Sequence, residues 1–207
     1  NSIRLMDGAV NNSYSNIDYG VGVRVLTGDQ SGYAYVENIT VEDMLKAART
    51  AARIASANKG NKPLNLTEKE LKKNYYTVAS LGEEVSLKDK MPYLQKLNDR
   101  IFALDKRVHK VQASQSDTTS HIFFCNSEGV MFYDYRPMVT LGAVCIMEED
   151  GKTENGYAAR AYRRGFDFLS DEVVDVIARE AVDQTSLLFK AIKPKGGEMP
   201  VVMGAGG

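Results

Sequence analysis

The sequence predicts an α+β fold, with mainly antiparallel sheet drawn from two meanders and packed with three principal helices. Three observations predict it. Val21, Val23 and Val25 alternate with Gly20, Gly22 and Arg24, the period-two mark of a strand with one apolar face. Thr40, Ser86 and Ser170 each stand as a capping residue before a run with apolar positions at helical spacing. The strand-like runs follow one another through short turns, as hairpins do, and do not alternate one by one with helices as βαβ units do.

The first runs, 2–6 and 9–14, flank Asp7-Gly8, a two-residue hairpin signal. Asn11, Asn12 and Ser13 place one face of this pair in solvent. A second hairpin occupies 18–38, DYGVGVRVLTGDQSGYAYVEN, turning through Thr27-Gly28-Asp29-Gln30-Ser31-Gly32. The two hairpins read as one antiparallel meander. Gly20 and Gly22 lie on the face opposite the valines, and two glycines on one strand face imply something packed close to that backbone.

Thr40 opens the first helix, with Asp43 answering three residues later. Met44, Leu45, Ala48, Ala52 and Ala55 form its expected stripe, ended by Asn58-Lys59-Gly60. Residues 61–74 are polar and Lys-rich, a surface connection, and 75–79 are expected to be extended. Ser86 to Asp89 caps the second helix, whose stripe is Met91, Leu94, Leu97, Ile101 and Leu104; Pro92 falls in its opening turns. Four strand runs follow at 108–114, 118–126, 130–135 and 138–147. Val139, Leu141, Ala143, Cys145 and Met147 share one face, which must be buried. Asp150-Gly151 turns the chain into a last run at 153–162. Ser170 caps the third helix, with Val174, Ile177, Ala178, Ala181, Val182, Thr185 and Leu188 facing the core. Lys193 to Gly197 breaks the chain, and Met199 to Met203 begins a new strand. Asn1 lies inside a strand pattern and the run through Gly207 ends as one, so the chain reads as a fragment of a longer protein.

A hydrophobic fraction of 43% suffices for a full core, and Lys+Arg 26 against Asp+Glu 27 leaves a net charge of −1. That balance favours neither nucleic acid nor an anionic membrane, and no apolar run approaches a membrane span. Cys125 and Cys145 both sit in apolar strand patterns and read as two buried reduced thiols, which points to the cytoplasm.

Candidate chemistry is sparse. His121 and Cys125 are four apart in HIFFC, which reads as strand, so they lie roughly 13 Å apart. One zinc with bonds of about 2.0–2.3 Å cannot reach both. His109 sits among basic neighbours and reads as a surface imidazole, and His109, His121, Cys125 and Cys145 together show no recognised ligand spacing. There is no Gly-x-Ser-x-Gly elbow. Glu148-Glu149-Asp150 reads as a solvated hairpin tip. Arg160, Arg163 and Arg164, interleaved with aromatics in GYAARAYRRGFDF, read as a basic loop. Gly204-Ala205-Gly206-Gly207 lacks the Gly-Lys-Ser/Thr of a phosphate loop.

Several stretches carry a resemblance. GVGVRVL followed by GYAY and an alanine-rich helix, Asp105-x-Arg107-Val108 with Val111, Ala178 to Val182, and MPVVMGAGG at 199–207 together resemble the TldD/PmbA family. These are bacterial and archaeal metallopeptidases, historically labelled modulators of DNA gyrase. The resemblance implies an amino-terminal α+β domain over 1–193 and, at 194–207, the first strand of a following metallopeptidase domain. It implies zinc held by two histidines of an HExxxH motif and a more distant cysteine, with the glutamate activating water. That motif is absent from this chain, so catalytic and metal residues would lie beyond Gly207 and the fragment itself would hold no zinc. The implied substrates are peptides or unfolded proteins, the implied assembly a homodimer or a heterodimer with a family member, with no nucleic acid and no membrane. MPVVMGAGG is similar to the branch that keeps the zinc motif. The alternatives are a zinc-less, non-catalytic partner subunit and a gyrase-modulating interaction protein. Ala158 and Ala159 depart from the family's glycine-rich stretch before Gly165-Phe166-Asp167.

Overall fold

The computed structural model describes residues 1–55, 67–68, 76, 78, 80–192 and 195–204. Three helices and mainly antiparallel strands make it α+β, as expected. The chain divides into two compact units: Asn1–Ser13, Tyr75–Ser120 and Arg136–Gly207 form one, Tyr14–Asn74 and His121–Tyr135 the other.

In the first unit, β1 (Ser2–Met6) and β2 (Ala9–Tyr14) form a hairpin through Asp7 and Gly8, whose φ values of 50° and 80° are those of a two-residue turn matched to strand twist. β1 pairs antiparallel with β6 (Val108–Cys125), placing Leu5 opposite Ala113. β6 lies beside β7 (Val130–Glu149). β7 pairs antiparallel with β8 (Lys152–Tyr162) across a second turn of the same kind at Asp150 and Gly151.

One face of this sheet is buried. Val139, Leu141, Ala143, Cys145 and Met147 are each at most 1% exposed, as their alternation predicts. They join Ile3, Leu5, Val111 and Ala113 in the core with α2 (Leu87–Leu104) and α3 (Asp171–Leu188). Leu94, Leu97 and Ile101 enter from α2; Val174, Ile177, Ala178 and Ala181 enter from α3. Ser86 and Ser170 cap these helices by accepting from the backbone N–H groups of Asp89 and Val173. α3 approaches β8 closely at Gly156, where an added Cβ would lie 2.6 Å from Thr185 Oγ1. Lys96 to Asp171 and Arg100 to Asp175 bridge the two helices, but these exposed pairs add little.

In the second unit, β3 (Val21–Thr27) and β4 (Gln30–Val36) form a two-stranded sheet with Val23 opposite Ala34. α1 (Val41–Ile54) covers one face, capped by Thr40, whose Oγ1 accepts from the Asp43 N–H at 3.1 Å. Gly32 makes the fit possible, since a Cβ there would lie 2.0 Å from the Ala51 carbonyl oxygen. β5 (Thr67–Glu68) pairs parallel with Val130 and Met131 of β7.

Four expectations change. The two amino-terminal hairpins do not make one meander: β1 and β2 join the large sheet, while β3 and β4 stand as their own. Period-two patterning identifies the faces of a strand but not its partner. The α1 stripe keeps Ala55, as expected, but is led by Ala47 and Ala51, with Met44, Ala48 and Ala52 only half-buried and Leu45 half exposed; a helix seated over a glycine turns its smallest side chains inward. The four middle runs are two long strands. Polar Gln115 and Asp117 do not interrupt β6 because both are buried and bonded there. Pro137 does not interrupt β7 because it precedes Val139, the first β7 residue paired with β8. Met199 to Met203 form no strand here and are exposed, Val202 to 96%, since a strand needs a ladder partner. Expectations for 56–66, 69–75, 77, 79, 193–194 and 205–207 lie outside the described residues.

Candidate functional site

The residues singled out for chemistry are dispersed. HIFFC is strand, as its pattern predicts, and His121 bonds through Nδ1 to the Tyr133 hydroxyl, its ring 5.3 Å from that of Tyr135. Cys125 is exposed, correcting the expectation of two buried thiols. It ends β6 in a hairpin where Phe123 and Tyr133 are open to solvent and Phe124 stacks on half-buried Phe132 at 4.9 Å. Cys145 is buried, and burial pushes its thiol above the ordinary range despite a hydrogen bond with Thr185. His109 lies exposed on β6.

Glu148, Glu149 and Asp150 are exposed at the β7–β8 turn, as expected. The Glu149 carboxylate also meets Arg107 at 3.1 Å, and Arg107 engages Asp105 at 2.7 Å and Ser186 at 2.5 Å. The Arg107 hydrogen bond holds the Asp105 carboxyl below its usual range against the opposing effect of burial. This cluster joins the end of α2 to β7 and α3. The basic loop is likewise engaged within its unit. Arg160 pairs with Glu180 at 2.7 Å, Arg164 with Asp167 at 3.6 Å, and Arg163 lies over the Tyr76 ring at 5.8 Å. Gly165 is needed for close approach, because a Cβ would meet the Ser80 carbonyl oxygen at 2.3 Å. Phe166 then donates its N–H to that oxygen at 2.9 Å and packs edge-on against Tyr93.

One polar centre escaped the sequence reading. Lys90 Nζ contacts Asp117 Oδ1 at 2.5 Å, both side chains 4% exposed. Gln115 donates to the same oxygen at 3.1 Å, and Asn1 Nδ2 donates to Oδ2 at 2.7 Å. Burial pushes the Asp117 pKa up, but the bonds from Lys90, Asn1 and Gln115 outweigh it and hold the carboxyl below its ordinary value. Two signals were available: Lys90 lies four residues before Leu94 on the buried stripe, and Gln115 and Asp117 continue the Val111–Ala113 face. Gly82 presses on Asp117 so closely that a Cβ would lie 2.4 Å from the Asp117 Cβ. The centre is a packed anchor with no room for substrate.

Among the described residues, no group of three His, Cys, Asp or Glu side chains converges as a metal would require. The described residues thus offer no donor set that fits the zinc implied by the resemblance.

The open surface of the second unit is of another kind. Tyr35 lies over Gly20 and Tyr33 over Gly22, where an added Cβ would lie 2.5 Å from the Tyr35 ring and from the Tyr33 hydroxyl oxygen. The two glycines implied such a close neighbour, and the tyrosines fill that place. Their rings remain 53% and 59% exposed beside Arg24, on the face away from α1.

Two stretches of the chain match known protein domains. Residues 1–55 match the PmbA/TldA metallopeptidase domain 1, and residues 81–189, more than half of the chain, match the PmbA/TldA metallopeptidase central domain. The chain belongs to the TldD/PmbA metallopeptidase family. Among TldD/PmbA relatives, the Metalloprotease TldD homolog of Haemophilus influenzae is 32% identical over 98% of this chain and 43% of its own length. That of Buchnera aphidicola from Acyrthosiphon pisum is 29% identical over 91% of this chain and 40% of its own. The chain thus spans less than half the length of these curated relatives. Two solved structures share the fold. A candidate modulator of a DNA gyrase from Thermotoga maritima superposes with a TM-score of 0.61 at 18% identity, over 95% of this chain and 44% of that one. TldE from Thermococcus kodakarensis does so at 0.53 and 16% identity, over 89% and 41%. Among the described residues no helix is long and apolar enough to cross a membrane.

Proposed function

We propose that this chain is the amino-terminal scaffold and substrate-access part of a TldD-like zinc metallopeptidase that cleaves peptides or unfolded proteins in the cytoplasm. Family membership across two successive domains, with relatives named metalloproteases, carries the reading. The zinc ligands belong to the longer protein, the two histidines of His-Glu-x-x-x-His and a later cysteine. There the glutamate activates water for attack on a peptide carbonyl. Residues 194–207 supply the first strand of the domain that carries them; exposed Val201, Val202 and Met203 offer the apolar side chains such a strand would bury. The longer protein works as a homodimer or as a heterodimer with a family member.

The test is to read the gene past Gly207 and assay its full product on an unstructured substrate such as casein, with and without a zinc chelator. A His-Glu-x-x-x-His motif soon after Gly207 with chelator-sensitive cleavage supports the reading. Absence of the motif replaces it with the zinc-less partner subunit.

A further inference from the structure

The β3–β4 sheet combines three features. Among the described residues each of its strands pairs only with the other, so each carries an edge without a ladder partner. α1 occupies the valine face, leaving the Tyr33–Tyr35 face open. At the end away from the turn, Tyr35, Val36, Glu37, Asn38 and Asp43 line a recess of about 300 Å³. Its two carboxylates stand beside an aromatic ring. Asp43 is oriented by the Thr40 hydroxyl, which donates to Oδ2 at 2.9 Å.

We propose that this face docks an extended polypeptide segment carrying a lysine or arginine next to an aliphatic or proline residue. Resting on the peptide-directed function above, it adds where and what kind of chain is held. The aliphatic or proline side chain covers the exposed tyrosine rings, the segment's backbone adds to a free strand edge, and the cation enters the recess between Glu37 and Asp43 with its stem along Tyr35. The charge selects this occupant. From 18 to 37 the hairpin carries Arg24 against Asp18, Asp29 and Glu37. That balance repels nucleic-acid phosphates, no cation among the described residues lines the recess, and a second copy would bring the same two carboxylates, Glu37 and Asp43.

The probe is a fluorescein-labelled Ala-Val-Pro-Val-Lys peptide, with Ala-Val-Pro-Val-Glu as control, titrated by anisotropy against the full chain at physiological salt. The lysine peptide should bind about fivefold more tightly than the control, in line with one partly exposed ion pair. Glu37→Lys, a surface change that leaves the fold in place, should invert the preference. Tyr33→Leu with Tyr35→Leu should weaken both peptides, with circular dichroism confirming the fold. Equal binding of the two peptides, an unchanged preference in Glu37→Lys, binding of oligothymidylate in place of peptide, or a tyrosine-dependent dimer in light scattering would each overturn the proposal. Cleavage by the longer protein without peptide docking would overturn only this inference. Docking without any zinc-dependent cleavage would overturn only the peptidase reading.

Discussion

Lys90 of α2 and Asp117 of β6 form a buried ion pair, Nζ to Oδ1 at 2.5 Å, that pins the helix to the sheet of the first unit. Such a pair costs more to break than it contributes when whole, because its loss leaves one buried charge alone. Lys90→Met should therefore destabilise the protein by about 3–5 kcal/mol, and adding Asp117→Leu should restore much of that loss. Urea denaturation of the single and double variants measures both.

The same pair sets a pH dependence. Asp117 has a folded pKa below its ordinary value of 3.8, so its stabilisation is present above that value and is lost as pH falls through the lowered folded pKa. Acid titration of stability should be shallower in Asp117→Asn than in the wild type. Equal acid slopes would contradict the assignment.

Close backbone approach makes two glycines irreplaceable. Gly32→Ala would drive a methyl into the Ala51 carbonyl of α1, and Gly156→Ala would drive one into Thr185 of α3. Each should cost about 1–3 kcal/mol by overpacking. Alanine at Gly28, where φ is +56° and no atom lies within 4 Å, should show only the smaller cost of left-handed backbone. Thermal denaturation of the three variants ranks them.

The cysteines should react unequally. Exposed Cys125 should be alkylated by iodoacetamide in the native protein, whereas buried Cys145 should react only on unfolding. Mass spectrometry of the modified peptides reads this directly.

The sequence made the three helices legible because Thr40, Ser86 and Ser170 mark their starts, and each does cap its helix. The buried β7 face was legible from strict alternation. Strand partnership was not: nothing local in 9–25 records that β2 sits at the edge of one sheet and β3 in another. Solvent exposure of Cys125 was hidden for a similar reason, since HIFFC alternates no differently from a buried strand. The recess beside Tyr35 combines residues of β4, the following loop and α1, and only folding brings them together. The tyrosine platform was half legible, as Gly20 and Gly22 announced a close neighbour without naming it.

Zinc content, measured in parallel on this chain and on the full gene product, tests whether the chain is a scaffold for ligands carried elsewhere. One zinc per full-length chain and none on residues 1–207 is the expected result. Stoichiometric zinc on the 207-residue chain that vanishes in His121→Ala, or a full-length protein free of zinc, would contradict it.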